Sequence, residues 1–240
     1  MMGHTHAISG AAVWLAAAPL LTQVVHLGPA ELAAGAVVTA GAALLPDLDH
    51  PSATVARTFG WPTRLLARGI ACLSGGHRKG THAIWAVPIT GILAQLMVIG
   101  GQWIPYLPTI AVVLAVGLGA RGLGWTRSGV IANVGTFVAC TGLTVAATLA
   151  GVHWAWVGAS YALGVAAHIS GDVMTTEGVP LFYPLSKKRF RGSNMPTGGL
   201  REQWFVAVPL AIVGVTLALW QFGAMPYVFA LLNSTPAFAR

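Results

Sequence analysis

The sequence predicts an all-α, polytopic membrane protein: a transmembrane helical bundle of about seven spans, with one further helix lying in the membrane interface. Three observations carry that expectation. Hydrophobic residues make up 55% of the 240-residue chain and its mean hydropathy is +0.72, which an ordinary soluble domain does not show. Apolar runs recur that approach the ~20 residues needed to cross a bilayer as a helix. The 13 Lys and Arg residues fall mainly in the connections between those runs, so the positive-inside rule accounts for the net charge of +7 without invoking nucleic acid.

The first span is expected at 7–26, starting AISGAAVWLAAAPLL. The preceding MMGHTH has no Lys or Arg, so the run reads as a retained span and not as a cleaved leader. A second span, about 31–46, stops at LLPDLDHP. Residues 52–74 differ: Arg64 and Arg68 are one helical turn apart, while Leu65, Leu66, Ile70 and Leu73 fill another face. That pattern suits a helix lying in the membrane interface, or one packed on the bundle. Further spans are expected at about 82–101, 106–120, 129–151 and from Trp154 to Ser170. A polar insert, 173–202, contains KKRFR and precedes a seventh span near 203–222. The tail 224–240 is interrupted by Pro226 and Pro236.

Counting basic residues gives the orientation. Arg57, Arg64, Arg68, Arg78, Lys79, Arg121, Arg127, Lys187, Lys188, Arg189, Arg191 and Arg201 fall on one side; Arg240 alone falls on the other. The first side is therefore expected to be cytoplasmic. Cys72 and Cys140 lie in a cytoplasmic segment and in a span, and imply neither a disulfide nor a thiolate metal site.

The stretch GGHRKGTHAI, Gly75–Ile84, concentrates two histidines, an arginine and a lysine between glycines, in a chain only 8% charged. Residues five apart do not share a helix face, so His77 is expected in a turn and His82 in the first turn of the next span. The other candidate ligands fall at the same membrane face. His4 and His6 precede the first span; Asp47, Asp49 and His50 follow the second; His168 and Asp172 leave the sixth. These are the only three aspartates in the chain. His168 and Asp172 are four apart on a helix and project from one side. Asp47 and Asp49 follow a proline, where an extended segment would point both carboxylates the same way. Ionisable groups so near hydrocarbon are costly unless they serve a function. Mixed His and carboxylate donors suit Zn²⁺ first, with Mn²⁺ or Fe²⁺ next, as one or two ions. His26 and His153 map to the opposite face and read as ordinary interfacial residues.

LLPDLDHP, GHRKGTHA and HISGDVMTTEGVPLFYP resemble, in order, the motifs of the membrane-bound, metal-dependent hydrolase family of bacterial inner-membrane proteins, the YdjM-like family. The likeness runs over about residues 4–191. It matches THAISG, and with it His6, to the family's amino-terminal histidine. Asp47, Asp49 and His50 match its aspartate motif, His77, Arg78, Gly80, Thr81 and His82 its HR-G-TH motif, and His168 with Asp172 its final His-x3-Asp motif. The ligand set implied is His6, Asp47, Asp49, His77, His82, His168 and Asp172. Lys79 and Ala83 depart from the pattern; Ala83 removes a hydroxyl there, and Glu177 is not counted as a ligand.

The leading functional expectation is a metal-dependent hydrolase of the bacterial inner membrane. Its site would face the cytoplasm and cleave a phosphate ester of a lipid or lipid-linked substrate. Arg78 would supply a forked phosphate donor, and Asp49 or His50 the general base. Its partners would be membrane lipids and an amphiphilic phosphorylated substrate. A divalent-metal transporter or sensor is the alternative from another class. A structural membrane protein whose helices are stapled by metal is the third.

Overall fold

A computed structural model of the chain describes residues 1–234; Arg240, the one basic residue assigned to the far side, lies outside them. Every regular element among the described residues is helical. Seven helices make the bundle: α1 (Gly3–Leu21), α2 (Pro29–Ala42), α4 (Ala86–Gly100), α5 (Leu107–Gly122), α6 (Val130–Leu149), α7 (Val157–Val173) and α8 (Leu200–Gln221). α3 (Trp61–Ser74) lies between α2 and α4 in the chain, and α9 (Met225–Ser234) follows α8. Three stretches are long and apolar enough to cross a membrane on their own: Pro29–Asp49, α6 and α8. α4 and α5 are apolar but shorter.

α1, α2 and α7 pack on one another at the centre; α5 covers α2, α4 covers α7, α6 lies outside α5, and α8 lies outside α1. Small residues permit this closeness, since helix backbones in apolar surroundings approach only where side chains are minimal. A Cβ on Gly41 would fall 1.7 Å from the Ala115 carbonyl oxygen, and one on Gly164 2.7 Å from both Ala42 Cβ and Ala43 N. The outer helices turn apolar surface outward: Ile131, Val138 and Leu149 of α6, and Phe205, Ile212 and Trp220 of α8, are exposed. Such a ring of apolar side chains is suited to lipid contact.

The helices alternate in direction. Gly3 and Gly122 lie side by side, Met2 N–H donates to Glu202 Oε1 at 2.6 Å, and Arg121 of α5 donates to Asn133 Oδ1 of α6 at 2.8 Å. One end of the bundle thus collects the starts of α1, α4, α6 and α8 and the ends of α2, α5 and α7. The basic residues of the described chain lie in α3, in the connections or at the helix termini of this end. The other end is closed by Trp14, Trp156 and Leu15, and Glu31 there accepts from the backbone N–H groups of Gly28 and His153.

α3 is amphipathic, as expected. Thr63 and Ala67 are buried against the bundle, while Trp61, Leu65, Leu66 and Leu73 are exposed along with Arg64 and Arg68. The insert after α7 contains no regular element before Leu200. It is strapped down by reciprocal backbone bonds between Val179 and Phe190, by Gly192 N–H to Val173 C=O, and by Ile84 N–H to Leu181 C=O.

Two local expectations are corrected. Pro46–Asp49 is a 3-10 turn, not an extended segment. Residues two apart in such a turn are rotated by about 240°, so the aspartates diverge and do not form a carboxylate pair. His82 ends a separate 3-10 turn, Gly80–His82, and α4 begins only at Ala86. The turn frees His82 from the helix and lets it reach inward.

Candidate metal centre

At the basic end, the helix termini bring His6, Asp47, His82, His168 and Asp172 together. His168 and Asp172 come from successive turns at the end of α7, and both are buried. His168 Nδ1 lies 2.7 Å from the Ala43 carbonyl, which fixes this nitrogen as the donor and leaves Nε2 with its lone pair. Gly164, one turn earlier, is what lets α7 approach the end of α2 closely enough for that bond. His82 is oriented likewise. Its Nδ1 sits 3.0 Å from Thr81 Oγ1 and 3.4 Å from Asp49 Oδ2, and the Thr81 hydroxyl donates to the same carboxylate oxygen at 2.5 Å.

Both Nε2 atoms therefore face each other, 3.1 Å apart. Asp172 Oδ2 completes a triad at 3.5 Å from His82 Nε2 and 3.7 Å from His168 Nε2. Donors bound at about 2.0–2.1 Å around a tetrahedral Zn²⁺ stand about 3.3 Å apart, so the spacing suits a cation among them. His168 and Asp47 also form a triad with His6, all three ligand atoms lying within 4.8 Å of one another. The His6 ring stacks on His168 at 3.7 Å, and its Nε2 is 3.3 Å from Asp172 Oδ1. The Met1 amino group also contacts Asp172 Oδ1.

The polar atoms left over test the fit. Asp172 Oδ2 and both ring nitrogens of His6 are buried and make no well-formed hydrogen bond, although Arg78 lies 3.3 Å from Asp172 Oδ2 and His6 Nε2 lies 3.3 Å from Asp172 Oδ1. Buried polar atoms are rarely left so, and Asp172 and one ring nitrogen of His6 belong to the donor sets of the two triads. Burial works to lower the His82 pKa, yet hydrogen bonds to Asp172 and Asp49 and the charges of Asp49 and Asp47 push it up to about 9. These carboxylates thus favour positive charge at His82, as an anionic cage that attracts a cation does.

The remaining expected ligands lie one layer out. Asp49 is buried, and its oxygens are engaged by His77 Nδ1 at 2.7 Å, Arg78 N–H at 2.9 Å and the Thr81 hydroxyl. It sits behind the histidines as an orienting carboxylate, and His77 sits outside the two triads on its far side. His50 stacks edge-on against His77 and bonds Ser52 Oγ at 2.7 Å, so it too lies off the cluster. Arg78 adopts φ +55°, a left-handed conformation that side chains favour little, two residues after the positive-φ Gly76. That conformation turns its N–H to Asp49 while its guanidinium reaches Asp172 Oδ2 at 3.3 Å and Glu177 Oε2 at 2.8 Å. Sequence reasoning gave no role to Glu177, the Ala43 carbonyl or the Thr81 hydroxyl as an orienting group. The GTH triplet was the available signal for Thr81; nothing local marked the other two. His26 and His153 are exposed and far from the cluster, near the opposite end.

Fold and cluster together define a membrane protein whose helical bundle carries, at its basic end, a buried His/carboxylate centre able to hold a cation. The chain belongs to the YdjM inner membrane protein family, with a match spanning residues 1–235. No curated protein and no solved structure matches it.

Proposed function

We propose that this protein is a seven-span inner-membrane hydrolase that uses one divalent cation to cleave a phosphate ester of an amphiphilic substrate at its cytoplasmic face. The observation that carries this reading is the convergence of the His82 and His168 Nε2 atoms on a buried Asp172 oxygen, with the Arg78 guanidinium 3.3 Å from that oxygen. The two triads share the single Nε2 lone pair of His168, which favours one ion over two. His82, His168 and Asp172 would hold it, with His6 or Asp47 completing the set. Zn²⁺ is the best fit to these donors. When bound, the cation supplies Lewis acidity to a water and to a phosphoryl oxygen.

The other groups divide the work. Asp49 and Thr81 hold the His82 tautomer. Asp47, a quarter exposed, is the carboxylate with access to a water and therefore the best-placed proton acceptor. This role moves from Asp49 and His50, because the first has its oxygens engaged and the second faces away. Arg78 would release Asp172 once a cation neutralises that carboxylate, and turn its fork to the substrate phosphate. Transport of the ion is less favoured, since both ligand groups found among the described residues lie at one end and apolar packing closes the other.

The test is metal content and phosphate release measured on the same detergent-purified protein. Arg78→Ala is expected to keep the metal and lose turnover of a phosphorylated amphiphile by ~10²-fold or more, as removal of a charge-stabilising donor does. Unchanged turnover, or metal flux into proteoliposomes without any hydrolysis, would refute the reading.

A further inference from the structure

The segment from His77 to His82 separates two pockets that cation binding does not itself require. On one side a groove of about 390 Å³ opens between α3 and α4, with Ile70, Leu73, Ile89 and Leu93 among its walls beside Gly80 and Thr81. It is almost wholly apolar, and Leu73, Ile89 and Leu93 are exposed on the side of the bundle that would face lipid. On the other side a pocket of about 260 Å³ is lined by Arg78, Lys79, Tyr183, Lys187 and Arg189, with Pro180.

The candidate metal centre connects them. Thr81 lines the groove and touches His82 Nδ1, while Arg78 lines the basic pocket and touches Asp172. Four cationic side chains thus share one small pocket. Among the described residues the carboxylates paired with any of them, Glu177 and Asp172, are both on Arg78, and Lys79, Lys187 and Arg189 have none. Lys79 donates to the Gly75 carbonyl and Arg189 to those of Glu177 and Gly178, which satisfies hydrogen bonds but not charge. Clustered like charges repel unless a counter-charge joins them, and a multiply charged anion is the matching guest. A single phosphate at the metal centre would leave this pocket uncompensated. A zwitterionic head group would bring an ammonium into it.

We propose that the substrate is an amphiphile carrying a diphosphate, its hydrocarbon chain in the α3–α4 groove, its chain-proximal phosphate at the His/Asp centre and its distal phosphate in the basic pocket. The proposal names the substrate class of the hydrolase reading and rests on it for the chemistry, but the two-pocket binding mode stands or falls by itself. Lys187 and Arg189 act as specificity groups for the second phosphate, and Tyr183 offers a neutral donor beside them.

The experiment compares two non-hydrolysable probes with the same alkyl chain, a methylenediphosphonate and a monophosphonate. Each is titrated calorimetrically into metal-loaded, detergent-purified full-length protein. The diphosphonate is expected to bind at least about tenfold more tightly, the range of a charge-assisted hydrogen bond. Lys187→Ala should erase most of that preference while leaving metal content and monophosphonate affinity unchanged. Ile89→Trp, which fills the groove, should weaken both probes together. Equal affinity for the two probes in the wild-type protein overturns the proposal. So does a preference that survives in Lys187→Ala and in Lys187→Ala/Arg189→Ala, since it would then come from chelation at the metal alone. Failure of the hydrolase reading looks different: no phosphate is released from any phosphorylated amphiphile, yet the probe preference and its loss in Lys187→Ala remain.

Discussion

Gly164→Ala probes whether the helix packing builds the metal centre. The added Cβ would lie 2.7 Å from Ala42 Cβ and Ala43 N, where apolar atoms in contact sit at about 3.5–4.0 Å. Relief therefore demands that α7 and the end of α2 separate by about 1 Å. The bond from His168 Nδ1 to the Ala43 carbonyl, now 2.7 Å, crosses the same contact one turn away; stretched by that amount it passes the limit of a hydrogen bond. Overpacking of this kind costs about 1–3 kcal/mol in stability. Loss of a group that orients a metal-binding histidine costs about 10–100-fold in metal affinity. Both should be measured on purified protein, the first by thermal unfolding in detergent and the second by competition with a chromogenic zinc chelator. Gly142→Ala on α6 is the control, because its Cβ meets nothing within 4 Å and a helical Gly→Ala change at an open site is neutral or stabilising by up to about 1 kcal/mol. If Gly164→Ala kept both the wild-type midpoint and the wild-type zinc affinity, the dependence of the site on this helix contact would be wrong.

Three further outcomes are expected. His82→Ala, His168→Ala and Asp172→Ala should each lower the metal content of purified protein strongly, whereas His26→Ala and His153→Ala should not; equal behaviour of the two groups would dissolve the cluster. Asp49→Asn keeps the shape but removes the charge that orients His82 through Thr81, so zinc affinity should fall about 10–100-fold, with retention of full affinity counting against a role behind the histidines. Lys188→Cys, placed in the exposed insert on a Cys72→Ser background, should react with an impermeant maleimide only after cells are permeabilised. Labelling in intact cells would reverse the assigned orientation.

Much of this protein is legible without a structure because a bilayer restricts the options. Backbone groups in hydrocarbon must bond within their own segment, so each apolar run of sufficient length reads as a helix. The distribution of Lys and Arg then says which ends share a face. Those two rules were enough to bring His6, Asp47, His82, His168 and Asp172 to one end of the bundle, and the four-residue spacing of His168 and Asp172 put both on one side of α7. What they could not supply was depth and direction. Depth was decided by glycines meeting neighbouring helices: Gly164 seats α7 against Ala42 and Ala43, and a contact between residues so far apart in the chain leaves no local periodicity to read. Direction was decided in short irregular turns. Pro46–Asp49 winds as a 3-10 turn and sends Asp47 toward His168 but Asp49 toward His77 and Thr81, although two aspartates flanked by prolines suit an extended segment equally well. The left-handed Arg78 and the insert folded over it were also beyond sequence reasoning, since both are set by partners distant in the chain: Asp49, Asp172 and Glu177. Sequence alone thus determined which residues meet at the membrane face, and tertiary packing decided which of them face one another across the space a cation would fill.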